Sequence, residues 1–151
     1  MIHRDLEMTE DLQDGVRRYD YSRDEGDFHA ENLRIGGGHI VFDFVSPFEN
    51  IKDVELGVPV SINIENGIAA MALAQIAGCK AADIRRAMLS FAGVQRRFDF
   101  QIKTDKLVFL SDYAHHPAEI RQSIQSLREV FTGRKISAIF QPHLYPRTSD
   151  F

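Results

Sequence analysis

Eight consecutive residues, Asp112-Tyr113-Ala114-His115-His116-Pro117-Ala118-Glu119, gather two carboxylates, a phenol and two imidazoles. Imidazole titrates near neutral pH, so His115 and His116 are candidates for proton exchange, phosphate contact or metal ligation. Asp112 could accept from a ribose hydroxyl or hold a histidine tautomer. A second polar stretch, Gln141-Pro142-His143-Leu144-Tyr145-Pro146-Arg147-Thr148, lies further on. Its Arg147 suits a carboxylate or phosphate, which a guanidinium can engage through two parallel hydrogen bonds. His143 precedes Arg147 by four positions. The blander reading makes His116 a helix N-cap and Asp112 a turn former at a strand end.

Each stretch directly follows an apolar run, Leu107 to Leu110 in one case and Ile136 to Phe140 in the other. These runs read as strands, the second from Lys135 to Phe140. Between them Pro117 suits a first helical turn. Ile120, Ile124, Leu127 and Phe131 then follow on one helical face, and Gly133 closes the helix. Strand, helix, strand implies a right-handed crossover between parallel strands. Both strand ends then lie on one sheet edge, where ligands of open α/β sheets bind. Asp112 to His116 and Gln141 to Arg147 are therefore expected to face one crevice. The helix start there offers free backbone N–H groups to an anion.

Upstream, Gly93-Val94-Gln95-Arg96-Arg97-Phe98 reads as a boundary. A glycine ends a helical region, two arginines follow, and the alternation Phe98, Phe100, Ile102 begins. Arg96 and Arg97 read equally as solvated linker charges or, at a domain junction, as reaching a nucleotide bound between domains. Val58 to Phe91 reads as a helical pair broken at Gly78, with Ile64, Ile68, Met71 and Ile76 as core stripe. Asn63 and Asn66, at i and i+3, share a side near that helix start. Their amides can read a purine edge or cap the helix, and capping is the commoner use. Residues 17–57 read as strands. Gly36-Gly37-Gly38 forms a hairpin turn rather than a phosphate cradle, because no Lys-Ser/Thr pair opening a helix follows it.

Composition limits the classes. With 151 residues, 44% hydrophobic and 26% charged, the chain is globular material for one domain or parts of two. A net charge of -4 argues against nucleic acid or an acidic membrane as partner. The single cysteine, Cys79, excludes an internal disulfide and reads as a small structural residue at the helical joint. A cytoplasmic location is the expectation. The charged start and the stop after Phe151 suggest an excerpt from a longer protein.

The motifs resemble those of the Mur ligase family. Asp112 to Glu119 resembles its D-Y-x-H-H-P-x-E segment, and Phe140 to Thr148 its F-Q-P-H-R-Y-T-R-T segment. Gly93 to Phe98 resembles G-V-x-R-R-F. Asn63-Ile64-Glu65-Asn66-Gly67-Ile68-Ala69-Ala70 resembles H-N-x-x-N-A-x-A-A without the leading His. The resemblance implies an α/β fold: residues 1–94 as the end of a central ATPase domain, residues 95–151 as the first part of a Rossmann-like C-terminal domain. It implies an ATP-dependent ligase that activates a carboxylate as an acyl phosphate for attack by an amine. The partners implied are UDP-N-acetylmuramic acid, L-alanine and ATP with Mg2+, in peptidoglycan synthesis. Asn63, Asn66, Arg97, Asp112, Tyr113 and His115 fall on nucleotide positions. His143 and Arg147, together with His115, fall on the catalytic side.

The departures are Val60-Ser61-Ile62 in place of G-R-H, Leu144 in place of Arg, and Pro146 in place of Thr. No G-x-x-G-K-[ST] occurs, so the chain alone is expected to be inactive. Three alternatives stand beside this reading. One is the tripeptide-recycling branch of the same family. Another is a metal-dependent hydrolase built on Asp112, His115, His116 and His143. The last is a non-catalytic nucleotide-binding module. An unpaired sheet edge in the second part would favour a homodimer.

Overall fold

The computed structural model describes residues 1–6 and 13–141. Two short strands, β1 (Ile2–His3) and β2 (Asp20–Tyr21), pair in parallel. The start of the chain thus carries a strand that its charged composition hid. An antiparallel sheet follows, in the order β3 (His29–Gly36), β4 (His39–Val45), β5 (Ile51–Glu55). Gly37 and Gly38 turn the β3–β4 hairpin with φ of 60° and 86°, the left-handed pair that a two-residue hairpin loop needs. The turn reading of the glycines holds.

β4 alternates as its sequence predicts. Ile40, Phe42 and Phe44 are fully buried, and Asp43 lies on the other face. Asp43 serves the sheet there: its carboxylate accepts from the Asp53 backbone N–H and the Asn32 amide, both at 2.8 Å. Asn32 and Asp53 have positive φ beside register shifts in β3–β4 and β4–β5. One carboxylate therefore ties two bulged strands together, and those donors hold its pKa below the ordinary range.

The helical pair is α1 (Ile62–Ile76) and α2 (Ala81–Ser90), with Gly78 at φ 85° in the joint. Cys79 is exposed there. Ile64, Ile68 and Met71 pack onto Phe28, Phe42, Phe44 and Val54. Each full burial of this kind stabilises by about 1.5–3 kcal/mol. Ile76 does not join them and is 45% exposed. At 3.6 residues per turn it sits ~120° from Ile64, whereas Gln75 sits on the stripe. Gln75 is buried, and its amide donates to the Glu49 carbonyl at 2.6 Å.

After Gly93 come β6 (Asp99–Lys103) and β7 (Val108–Ser111), an antiparallel hairpin, and then α3 (Pro117–Val130). The predicted stripe of Ile120, Ile124, Leu127 and Phe131 is only half-buried. The buried residues of α3 are Ser126 and Val130, and Val130 completes the core of the first sheet. The expected strand Lys135 to Phe140 does not form: the segment carries no strand, and Ile139 and Phe140 are exposed. Among the described residues β7 pairs only with β6, so the parallel crossover is not made. A parallel pair is weaker per residue and needs helices on both faces, whereas one helix follows here. The architecture is mixed α/β.

Candidate nucleotide-facing site

The loop from Asp112 to His116 is held by its own chain. The His115 and His116 backbone N–H groups donate to Glu119 Oε2 at 3.1 and 3.3 Å. The Ala118 N–H donates to His116 Nδ1 at 3.2 Å. This is a reciprocal capping box with His116 as N-cap and Pro117 in the first turn. Two consequences follow. His116 carries its proton on Nε2, because Nδ1 accepts. The N–H donors of residues 115, 116 and 118, expected to greet an external anion, are engaged by Glu119 and His116, a correction to the free donors expected there. The same two donors hold the Glu119 carboxyl below its ordinary range.

Asp112 is half-buried and accepts from the Ser123 hydroxyl at 2.6 Å. That bond joins the end of β7 to the second turn of α3. Tyr113 and His115 are exposed and meet edge to face at 5.5 Å. His115 Nδ1 lies 3.2 Å from the Tyr113 carbonyl and 3.5 Å from Glu119.

The junction reaches this loop directly. The Tyr113 N–H donates to the Arg96 carbonyl at 2.8 Å. Arg96 and Phe98 have φ of 62° and 45°, conformations that cost about 1–3 kcal/mol each in non-glycine residues. Asp99 steadies the bend by accepting from the Arg96 N–H at 3.2 Å. Arg97, on the same bend, is exposed, and its N–H donates to the Val94 carbonyl.

On α1 the Asn66 amide donates to Asn63 Oδ1 at 3.4 Å, and the Asn63 amide donates to the Val58 carbonyl at 3.2 Å. Asn63 is thus not a helix cap; Ser61 holds that position. A Cβ on Gly93 would stand 2.9 Å from Val58 Cγ2, so the asparagines connect to the junction through Val58 and Gly93. His143 and Arg147 lie outside the described residues. Among the described residues no group of three or more His, Cys, Asp or Glu is placed to hold a metal ion. Glu119 and Ser123 were missed as organisers of the loop. The Glu three places after His116 is the spacing that signals a capping box.

Residues 96–151 match the family model described as Mur ligase, glutamate ligase domain. The chain belongs to the Mur ligase family. Within it, the chain is similar to UDP-N-acetylmuramate–L-alanine ligases. It is 62% identical over 151 residues to that of Phocaeicola vulgatus, covering all of this chain and 33% of the relative. It is 57% identical over 152 residues to that of Parabacteroides distasonis, again with 33% of the relative covered. It superposes on the crystal structure of UDP-N-acetylmuramate-alanine ligase MurC from Thermotoga maritima with a TM-score of 0.71 and 29% identity. That match covers 83% of this chain and 30% of the other. The chain spans about a third of the length of the curated relatives it matches. No helix among the described residues is long and apolar enough to cross a membrane.

Proposed function

We propose that this chain is the nucleotide-facing part of an ATP-dependent ligase that joins L-alanine to UDP-N-acetylmuramic acid in peptidoglycan synthesis. Residues 1–94 are then the end of the central ATP-binding domain, and residues 95–151 the start of the C-terminal Rossmann-like domain. The observation that carries the reading is the 2.8 Å bond between the Tyr113 N–H and the Arg96 carbonyl. It brings a cationic junction to the loop of Asp112, Tyr113 and His115, in a chain similar throughout its length to ligases of that name.

In this reading the reaction is stepwise. The muramic acid carboxylate takes the terminal phosphoryl group of ATP, the amine of L-alanine attacks the acyl phosphate, and phosphate leaves. Asn66, an exposed residue, faces the adenine beside Asn63. Arg97 pairs with phosphate oxygens. Asp112 and Tyr113 line the nucleotide wall, and His115 donates to a developing anionic oxygen. His143 and Arg147 hold the acyl phosphate and the amino acid. Mg2+, when bound, neutralises phosphate charge. The described residues offer it no ligand cluster, so no step here is assigned to it. The same reading places the protein in the cytoplasm. The open edge of β7 makes pairing with a second copy part of the proposal.

Calorimetric titration of the 151-residue chain with ATP and with ADP tests the reading. The expected result is saturable binding without turnover. Arg97→Ala should weaken binding about tenfold, the size of one lost charge-assisted hydrogen bond. Absence of any saturable binding would sink the nucleotide assignment. Ligation of L-alanine by this chain alone would refute its inactivity, and a monomeric solution mass would refute the pairing.

A further inference from the structure

We propose that the last turn of α3 is a seat that sets the spacing between the two halves of the nucleotide site, with Gly38, Ser61 and Glu129 as positioning residues. The link to nucleotide rests on the function proposed above. Contacts from two separate elements converge on Glu129, Val130 and Phe131. The Gly38 N–H, in the β3–β4 turn, donates to the Val130 carbonyl at 3.1 Å. A Cβ on Gly38 would stand 3.2 Å from Phe131 Cε1. The Val130 side chain is fully buried in the core of the first sheet. The Ser61 hydroxyl donates to Glu129 Oε2 at 2.6 Å.

These contacts sit at one end of a helix whose other end carries the loop of Asp112 to His116. Ser61 is also the N-cap residue of α1, two positions before Asn63. The seat therefore joins the helix bearing the asparagines to the helix bearing the histidine loop. A 14-residue helix is ~21 Å long. A tilt of ~10° about its seated end would move the loop by ~3–4 Å by the same geometry. Ligand hydrogen bonds tolerate far less than that. A small slackening at Glu129 to Phe131 is thus amplified at the site.

Spin labels test the seat. One goes on Cys79, the only cysteine, which is exposed; the other on Arg121→Cys, at an exposed position of α3. Pulsed distance measurement should give one narrow distribution for the otherwise unchanged chain. Gly38→Ala should broaden or shift it. Gly37→Ala strains the same turn, but a Cβ there meets nothing within 4 Å, so the distribution should stay narrow. Ser61→Ala and Glu129→Ala should broaden it, whereas Ser61→Thr and Glu129→Gln keep a donor and an acceptor and should restore it. The variants that broaden it should also weaken ATP binding severalfold. Equal distributions for Gly37→Ala and Gly38→Ala, with no effect at Ser61, overturn the seat. Broadened distances with unchanged ATP affinity overturn its link to the site. A narrow distance in a chain that binds no nucleotide overturns the proposed function and leaves the seat standing.

Discussion

His116 and Glu119 divide the backbone donors of one helix start between them, and this sharing defines the loop more than the reactivity of its imidazoles does. Glu119 accepts from two N–H groups, and its carboxyl is held below the ordinary value of 4.5. Stability from a depressed carboxylate is fully present above the ordinary value and is lost as pH falls through the lowered folded one. Glu119→Ala should cost about 0.5–1 kcal/mol at pH 7, the size of an exposed cap. Urea denaturation of both proteins from pH 7 downward should show that difference shrinking below pH 4.5. A constant difference across that range would refute the role. Much of the loop was legible in the sequence, because Pro117 and the Glu at its spacing mark a helix start. The Arg96–Tyr113 bond was not legible, since a main-chain bond between two loops leaves no trace in residue type.

At the scale of elements, the apolar period located α1, α2 and α3 but misassigned the edges of their faces. Ile76 was placed in the core by its type, and the angular position belongs to Gln75. Ile68→Ala should therefore cost about 2–5 kcal/mol. Ile76→Ala should stay within about 0.5 kcal/mol, as exposed positions do. Chemical denaturation midpoints distinguish the two, and equal losses would contradict the assigned face. α3 shows the converse error. Its obvious stripe is half-buried, while Ser126, a polar type, lies buried beside Val130. The absence of a strand at residues 135–140 has a different cause. Pairing is a property of neighbours, and an apolar run records only the tendency to pair.

At the scale of the molecule, composition and motif order were enough for the α/β class and the family. The placing of α3 on the β3–β5 sheet was not, because it depends on contacts between residues far apart in sequence. Gly38 and Val130 are the sharpest case. Both types are ordinary where they stand, and neither signals that a hairpin turn of the first sheet rests on the last turn of α3.

That contact also bears on the order in which the chain acquires structure. The β3–β4 hairpin and the α1–α2 pair close short loops, whereas joining Gly38 to Val130 closes a loop of 92 residues, and such closures are slow. The seat should therefore be absent from the folding transition state. Gly37→Ala again serves as reference, since it strains the same turn without touching α3. Relative to it, Gly38→Ala should steepen the loss of the native state by faster unfolding, with refolding in dilute denaturant unchanged. Stopped-flow measurement of both limbs would show it, and a matching fall in the refolding rate would mean that the hairpin turn and α3 meet early. If the seat forms last, the first sheet waits for Val130 before its core is closed to water.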